Sequence, residues 1–156
     1  QGAATVHLRS ACEDFEAGGR SAELSTYAPK LGRVLCARGL YDEAELLAER
    51  GRALGAPEDV WTQALWRQTK ALVHSARAQH AEAVQLAEEA VDWFARTDCL
   101  LRQGDAYCDL AEVLEAAGRR EEAVAAWREA LDRYERKGIV PLARLVRERL
   151  ASLQPA

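Results

Sequence analysis

The sequence contains no methionine and no asparagine, and only two phenylalanines and four prolines among its 156 residues. It has no long apolar run either, because the longest spans only the five residues from Ala123 to Trp127, whereas a bilayer span needs ~20. No Asn-Gly or Asp-Gly hairpin turn occurs, and β-branched and aromatic residues do not alternate with polar ones over a useful length. These absences argue against a membrane role and against a β-rich fold.

The missing methionine predicts that the chain is an excised piece of a larger polypeptide. Its length nevertheless suits one ordinary domain, so we expect residues 1–156 to form a single domain of a larger protein. The composition, with 49% hydrophobic and 29% charged residues, is that of a folded soluble chain. The net charge of −4 disfavours nucleic acid as a partner, because phosphate neutralisation needs concentrated Lys and Arg.

The four cysteines, Cys12, Cys36, Cys99 and Cys108, form no CxxC pair and have no histidine at metal-ligand spacing. We interpret them as reduced thiols that serve as small core residues in a cytoplasmic protein. No phosphate-binding loop, HExxH or nucleophile elbow is present. The sequence therefore predicts no enzyme activity, no catalytic residue, no metal and no cofactor.

Helix signals run through the whole chain, since Ala, Leu, Glu and Arg dominate and apolar residues recur at spacings of three and four. Asp98 is expected to cap one helix start. Pro29 is expected in the first turn of its helix, with Thr26 as the cap, because only there does a missing N–H cost nothing. The pattern predicts helices over 3–16, 25–38, 41–54, 58–77, 80–95, 100–117, 120–137 and 140–153.

One short phrase occurs three times, at residues 39–44 (GLYDEA), 78–83 (AQHAEA) and 118–123 (GRREEA), and its final alanines are 39 and 40 residues apart. Each phrase reads as the end of one helix, a tight turn and the acidic first turn of the next. The phrases therefore predict three helical hairpins. Small residues follow at fixed offsets and give the second helix of each pair a narrow stripe for close packing, with Trp127 as the one bulky exception. The three stripes are Ala44-Ala48-Gly51, Ala83-Ala87-Ala90 and Ala123-Trp127-Ala130.

These residues resemble the tetratricopeptide repeat, which has a Leu-Gly or Leu-Ala step in its first helix and a Gly five residues before an Ala at the turn. Leu31-Gly32 with Gly39 and Ala44, and Leu110-Ala111 with Gly118 and Ala123, look like this pattern. The middle copy departs from it, with Lys70-Ala71 and with Ala78 in place of the glycine. The period exceeds the usual ~34 residues and is similar to the long-helix variant of MalT-like regulators. That variant also occurs in the C-terminal region of bacterial signalling ATPases, cyclase-linked ATPases and transcriptional regulators.

The resemblance covers about residues 24–153 and implies an all-α fold: a right-handed α-solenoid of antiparallel helix pairs. It would consist of about three tetratricopeptide-like repeats, an N-terminal helix and a C-terminal capping helix. The first helices of the pairs would line a concave groove, which is the expected binding site. The family's groove-facing offsets imply Thr26, Arg33, Leu65, Gln68, Leu72, Ser75, Asp105, Cys108, Asp109, Glu112 and Glu115 as candidate groove residues.

The predicted helix over 100–117 carries Asp105, Asp109, Glu112 and Glu115 against Arg102 alone. This excess of acidic residues favours either a partner with a basic segment or simply a solvated face. The leading hypothesis is a regulatory module that binds a peptide or a neighbouring domain in a larger bacterial signalling or transcription regulator. The alternatives are self-association, for example as a homodimer through Trp61, Trp66, Trp93 or the capping helix, and sensing of a small-molecule effector.

Overall fold

The computed structural model describes residues 2–154, and within that range the chain forms eight α-helices and no strand. The helices are α1 (Gly2–Ala17), α2 (Ser21–Cys36), α3 (Tyr41–Leu54), α4 (Val60–Ala76), α5 (His80–Phe94), α6 (Leu100–Ala116), α7 (Arg120–Lys137) and α8 (Val140–Ser152). This architecture confirms the predicted α-solenoid of helix pairs. None of the described helices is long and apolar enough to cross a bilayer.

The helices pack as three consecutive pairs, α2 with α3, α4 with α5 and α6 with α7. The first helices of successive pairs also contact one another, because α2 packs on α4 and α4 packs on α6. Helix α1 packs on α2, and α8 packs on α7. The interior therefore follows the stack, and α2, α4 and α6 form one continuous face.

The turns inside the three pairs have the same geometry despite their different sequences. Gly39 and Gly118 adopt left-handed φ angles of 74° and 75°, and Ala78 adopts φ 58° at the equivalent place. In each turn the next N–H donates to a carbonyl five residues back: Leu40 to Leu35, Gln79 to His74 and Arg119 to Leu114. This bond is typical of a helix that ends in a left-handed residue. The middle copy thus keeps the register of the other two, although alanine is strained in this conformation.

The small-residue stripes lie where the helices approach most closely. The alanines of the three stripes are at most 1% exposed: Ala44, Ala48, Ala83, Ala87, Ala90, Ala123 and Ala130. Gly51 is also buried. Trp127 is buried as well, with 6% exposure, so the third pair holds an indole where the other two pairs hold a methyl group.

Two expectations about helix starts are wrong. Helix α2 begins at Ser21, not after Thr26, so Pro29 lies inside the helix and cannot donate to the Ser25 carbonyl. Gly51 of α3 leaves room for the proline ring, because an added Cβ there would lie 2.2 Å from Pro29 Cγ and 2.7 Å from the Ser25 oxygen. Asp98 does not cap α6, whose N-cap is Cys99 without a side-chain bond, although the Thr97 hydroxyl accepts from the Cys99 N–H.

Cations and aromatic rings connect α3, α4 and α5. Arg67 contacts the rings of Trp66 and Trp93, at 4.2 and 5.4 Å from their centroids. Arg52 also lies over the Trp66 ring at 4.9 Å, and Arg96 over the Trp93 ring at 4.0 Å. Such contacts contribute about 0.5–1 kcal/mol each at exposed sites. Trp66 therefore belongs to the packing between repeats.

We expect Gly51→Ala to lower the free energy of unfolding by about 1–2 kcal/mol, because the overpacking against α2 outweighs the better helix propensity of alanine. Urea unfolding followed by circular dichroism measures this. The same substitution in a Pro29→Ala background should cost less, since the closest contact is with the proline ring. An equal cost in both backgrounds would show that the ring does not set the helix spacing.

Candidate binding groove

Helices α2, α4 and α6 enclose a groove with a cavity volume of about 510 Å³. Five of the predicted groove residues line it: Arg33, Leu72, Ser75, Asp109 and Glu112. The walls also include Val34 in α2, Ala37 and Arg38 in the turn after it, and Tyr41 at the start of α3. These four were missed because the repeat pattern places groove residues within the first helices of the pairs. Three of them follow the end of α2, where the helical period stops at the turn around Gly39, so no periodic pattern indicates them.

A partly buried ion pair crosses the floor of the groove, with the Asp109 side chain 6% and the Arg33 side chain 30% exposed. The Arg33 guanidinium donates from Nε to Asp109 Oδ2 and from Nη2 to Asp109 Oδ1, each at 2.7 Å. The Gln68 amide of α4 donates to the same carboxylate at 2.8 Å. Burial raises the pKa of the Asp109 carboxyl, and the charge and hydrogen bonds of Arg33 oppose that shift. The network joins α2, α4 and α6 and occupies Gln68 and Asp109 within the structure.

Asp105 and Cys108 face α7 through Tyr134. The Tyr134 hydroxyl donates to Asp105 Oδ1 at 2.7 Å and lies 3.5 Å from Cys108 Sγ. Gly104 makes room for this ring, since a Cβ there would lie 2.5 Å from Tyr134 Cε1. Arg102 donates to the other oxygen of Asp105 at 3.2 Å. Burial raises the pKa of the Cys108 thiol to about 12, so Cys108 is not a nucleophile at neutral pH.

Glu115 is also held by neighbouring helices. The Trp127 Nε1–H of α7 donates to Glu115 Oε1 at 2.6 Å, and the Arg149 Nε–H of α8 donates to the same oxygen at 3.1 Å. A second guanidinium N–H of Arg149 donates to Glu115 Oε2. Three of the four carboxylates on α6 thus have basic or hydrogen-bonding partners inside the protein.

Glu112 and Arg38 are different, because neither side chain has an ion pair or side-chain hydrogen bond among the residues that the structure describes. Both are exposed and both line the groove, with Arg38 in the turn after α2 and Glu112 on α6. Partial burial between the helices raises the pKa of the Glu112 carboxyl, and the nearby Asp109 charge adds to the shift. The groove therefore presents one free carboxylate and one free guanidinium.

The remaining predicted groove residues lie nearer the start of α4. Thr26 Oγ1 is 3.3 Å from Thr62 Oγ1, and Leu65 belongs to the core with 1% exposure. Of the tryptophans considered for self-association, Trp61 is 37% exposed and packs edge-on against Phe94, with 5.8 Å between centroids. These residues are not brought together with Arg38 and Glu112.

The arrangement offers recognition and no evident chemistry. His74 Nδ1 lies 2.7 Å from Gln79 Oε1, and burial raises the pKa of the Cys36 thiol to about 12. No group of three His, Cys, Asp or Glu side chains in residues 2–154 is placed to hold a metal ion. A concave surface with fixed charges suits the binding of another polypeptide.

The fold and the groove define a helical-repeat protein of the tetratricopeptide-like class. Residues 56–156 match the family described as soluble NSF attachment protein, SNAP. The match covers more than half of the chain, which therefore belongs to this family. Its helical repeats form a non-enzymatic adaptor fold that mediates protein–protein interaction. A comparison with curated proteins found no match.

We expect Asp109→Asn to reduce the free energy of unfolding by about 2–3 kcal/mol, because it leaves the Arg33 charge unpaired in a largely enclosed position. Chemical denaturation measures the change. Glu148→Gln is the matched control, since the Arg144–Glu148 pair is exposed on both sides and such pairs contribute little. Equal losses in the two variants would show that the buried pair has no special structural role.

Proposed function

We propose that this chain is an adaptor module that binds a segment of a partner protein in the groove between α2 and α6. The single observation that carries the proposal is the pair of free charges, Glu112 and Arg38, in a groove whose other described charges are paired. A Lys or Arg of the partner pairs with Glu112, and a carbonyl or carboxylate of the partner accepts hydrogen bonds from Arg38.

Because the other carboxylates of α6 are paired inside the protein, a basic partner segment has one carboxylate on this helix to contact. Asp105, Asp109 and Glu115 already accept hydrogen bonds from Tyr134, Arg33 and Arg149. Recruiting any of them to a partner would leave a donor inside the protein unsatisfied, which is costly. Glu112 can pair with a partner without breaking an internal bond, so it is the residue that favours a basic side chain.

The repeat length supports a cellular setting for this activity. The three turn phrases recur at 39 and 40 residues, and this spacing resembles that of the MalT-like variant. On this resemblance we propose that the module is cytoplasmic and forms the regulatory part of a larger bacterial signalling protein or transcription regulator.

We expect random peptides selected on the immobilised protein by phage display to be enriched in Lys or Arg. Their affinity, measured by titration calorimetry, should fall about tenfold on Glu112→Gln, because the variant keeps the shape of the side chain and loses its charge. Glu58→Gln is the matched control, since Glu58 is exposed in the turn before α4. Peptides that bind Glu112→Gln as tightly as the wild type would refute the groove proposal.

The affinity for such a basic peptide should also fall as the pH is lowered, and the fall should begin above ~4.3, the ordinary pKa of glutamate. The reason is that the pKa of Glu112 is raised, so this carboxylate gains its proton and loses the ion pair at a higher pH than a surface glutamate does. The charged groups that act on it are Arg33 from α2, Asp109 and Glu115 from α6, and Arg149 from α8; Arg38, in the turn after α2, lines the same groove. The test is to measure the affinity for the peptide as a function of pH for the wild type and for Glu112→Gln. The variant should lack the fall in affinity, and identical pH profiles for the two proteins would contradict the prediction.

A further inference from the structure

Helix α8 stands apart from α6, unlike the corresponding helices earlier in the stack. Helices α2 and α4 contact each other, as do α4 and α6, whereas no Cα atom of α8 (Val140–Ser152) lies within 8 Å of one in α6 (Leu100–Ala116). A crevice of about 370 Å³ separates the two helices. Its lining includes Glu112, Trp127, Tyr134, Leu142, Leu145 and Val146.

Trp127 explains the separation. It occupies the stripe position that Ala48 and Ala87 fill in α3 and α5, where the next helix packs closely. Its indole lines the crevice and is anchored by the hydrogen bond from Nε1 to Glu115. We attribute the separation of α8 from α6 to this larger ring, because it occupies space that the methyl groups of the other repeats leave open.

The crevice leaves apolar surface exposed beside the free carboxylate. Leu145 is 60% exposed on its rim, while Val146 at its base is 3% exposed. Arg149 at the edge is paired with Glu115, so it does not offer a free charge. Glu112 lines both this crevice and the groove between α2 and α6, which makes the two cavities neighbours on either side of one carboxylate.

We propose that the crevice is a second subsite of the partner-binding surface and receives a large aliphatic side chain of the same segment whose basic residue pairs with Glu112. The inference rests on the proposed function. Charge complementarity selects the occupant: the unpaired carboxylate favours a cationic residue, and the adjacent apolar walls of Leu142, Leu145 and Val146 fit an aliphatic neighbour. A buried aliphatic anchor next to a charged pair is a common source of binding energy in protein interfaces.

The test uses peptides selected by phage display on the whole chain and compares their affinities for three variants. Leu145→Ala removes the crevice rim without disturbing the core, since this side chain is mostly exposed. Leu46→Ala is the matched control, because Leu46 is 72% exposed on α3 and lines neither cavity. Glu112→Gln reports on the charge subsite independently. Each peptide is also made with its aliphatic residue replaced by alanine.

The proposal expects peptides that combine a basic and an aliphatic residue, with about tenfold weaker binding to Leu145→Ala and unchanged binding to Leu46→Ala. Replacing the aliphatic residue of the peptide should have little further effect on Leu145→Ala, because both changes remove the same contact. Peptides that lose affinity on Glu112→Gln but not on Leu145→Ala would overturn the crevice and leave the groove standing. Peptides indifferent to both variants would overturn the groove as well.

Sedimentation equilibrium of the free protein tests whether a second copy of this chain, and not a peptide, occupies the crevice. A dimer that forms with concentration and is abolished by Leu145→Ala, but not by Leu46→Ala, would assign the crevice to a second copy of this chain and overturn the peptide subsite. A mass independent of concentration supports the proposal.

Discussion

The ion pair between Arg33 and Asp109 is the constraint on which the shape of the groove depends. In a stack of repeats each unit contacts only its neighbours, so small changes between units add up along the stack. Helices α2 and α6 are second neighbours and do not pack directly against each other, yet two hydrogen bonds of 2.7 Å join them. Gln68 ties the intervening helix to the same carboxylate. The pair therefore fixes the spacing of the two groove walls, which packing between neighbours alone does not.

Internal pairing of this kind also sets the electrostatics of the groove. Counted from the sequence, α6 has a clear excess of acidic residues. In the structure, however, Arg33 from α2 and Arg149 from α8 form ion pairs with carboxylates of α6. Tyr134 and Trp127 from α7 donate hydrogen bonds to two of these carboxylates. The charges that hold the stack together are not free to attract a partner. Specificity for a partner then depends on the few charged side chains that have no internal partner. A charge that is already paired must give up its internal hydrogen bond before it can bind a partner, and this loss is unfavourable.

The sequence predicts the features that depend on local signals. The left-handed turn residues, the acidic first turns and the spacing of small residues place all eight helices of residues 2–154 to within a few residues and identify the three pairs. It does not predict contacts between distant residues: Arg33 and Asp109 are 76 positions apart, and no periodic pattern indicates their pairing. The predicted position of Pro29 in its helix is wrong for the same reason, since the space for its ring comes from Gly51 on another helix.

Irregularities in the repeat carry more functional information than its regular positions. Residues that match the pattern are occupied with packing, as Ala44, Ala83 and Leu65 are. Trp127 breaks the small-residue stripe and lines a crevice together with Glu112, the carboxylate of α6 that has no ion-pair or hydrogen-bond partner within residues 2–154. A repeat fold that closed perfectly would present a uniform surface. The departure at Trp127 makes the last repeat unlike the others, and under the proposed function it gives the partner segment a place where a free charge and apolar surface lie side by side.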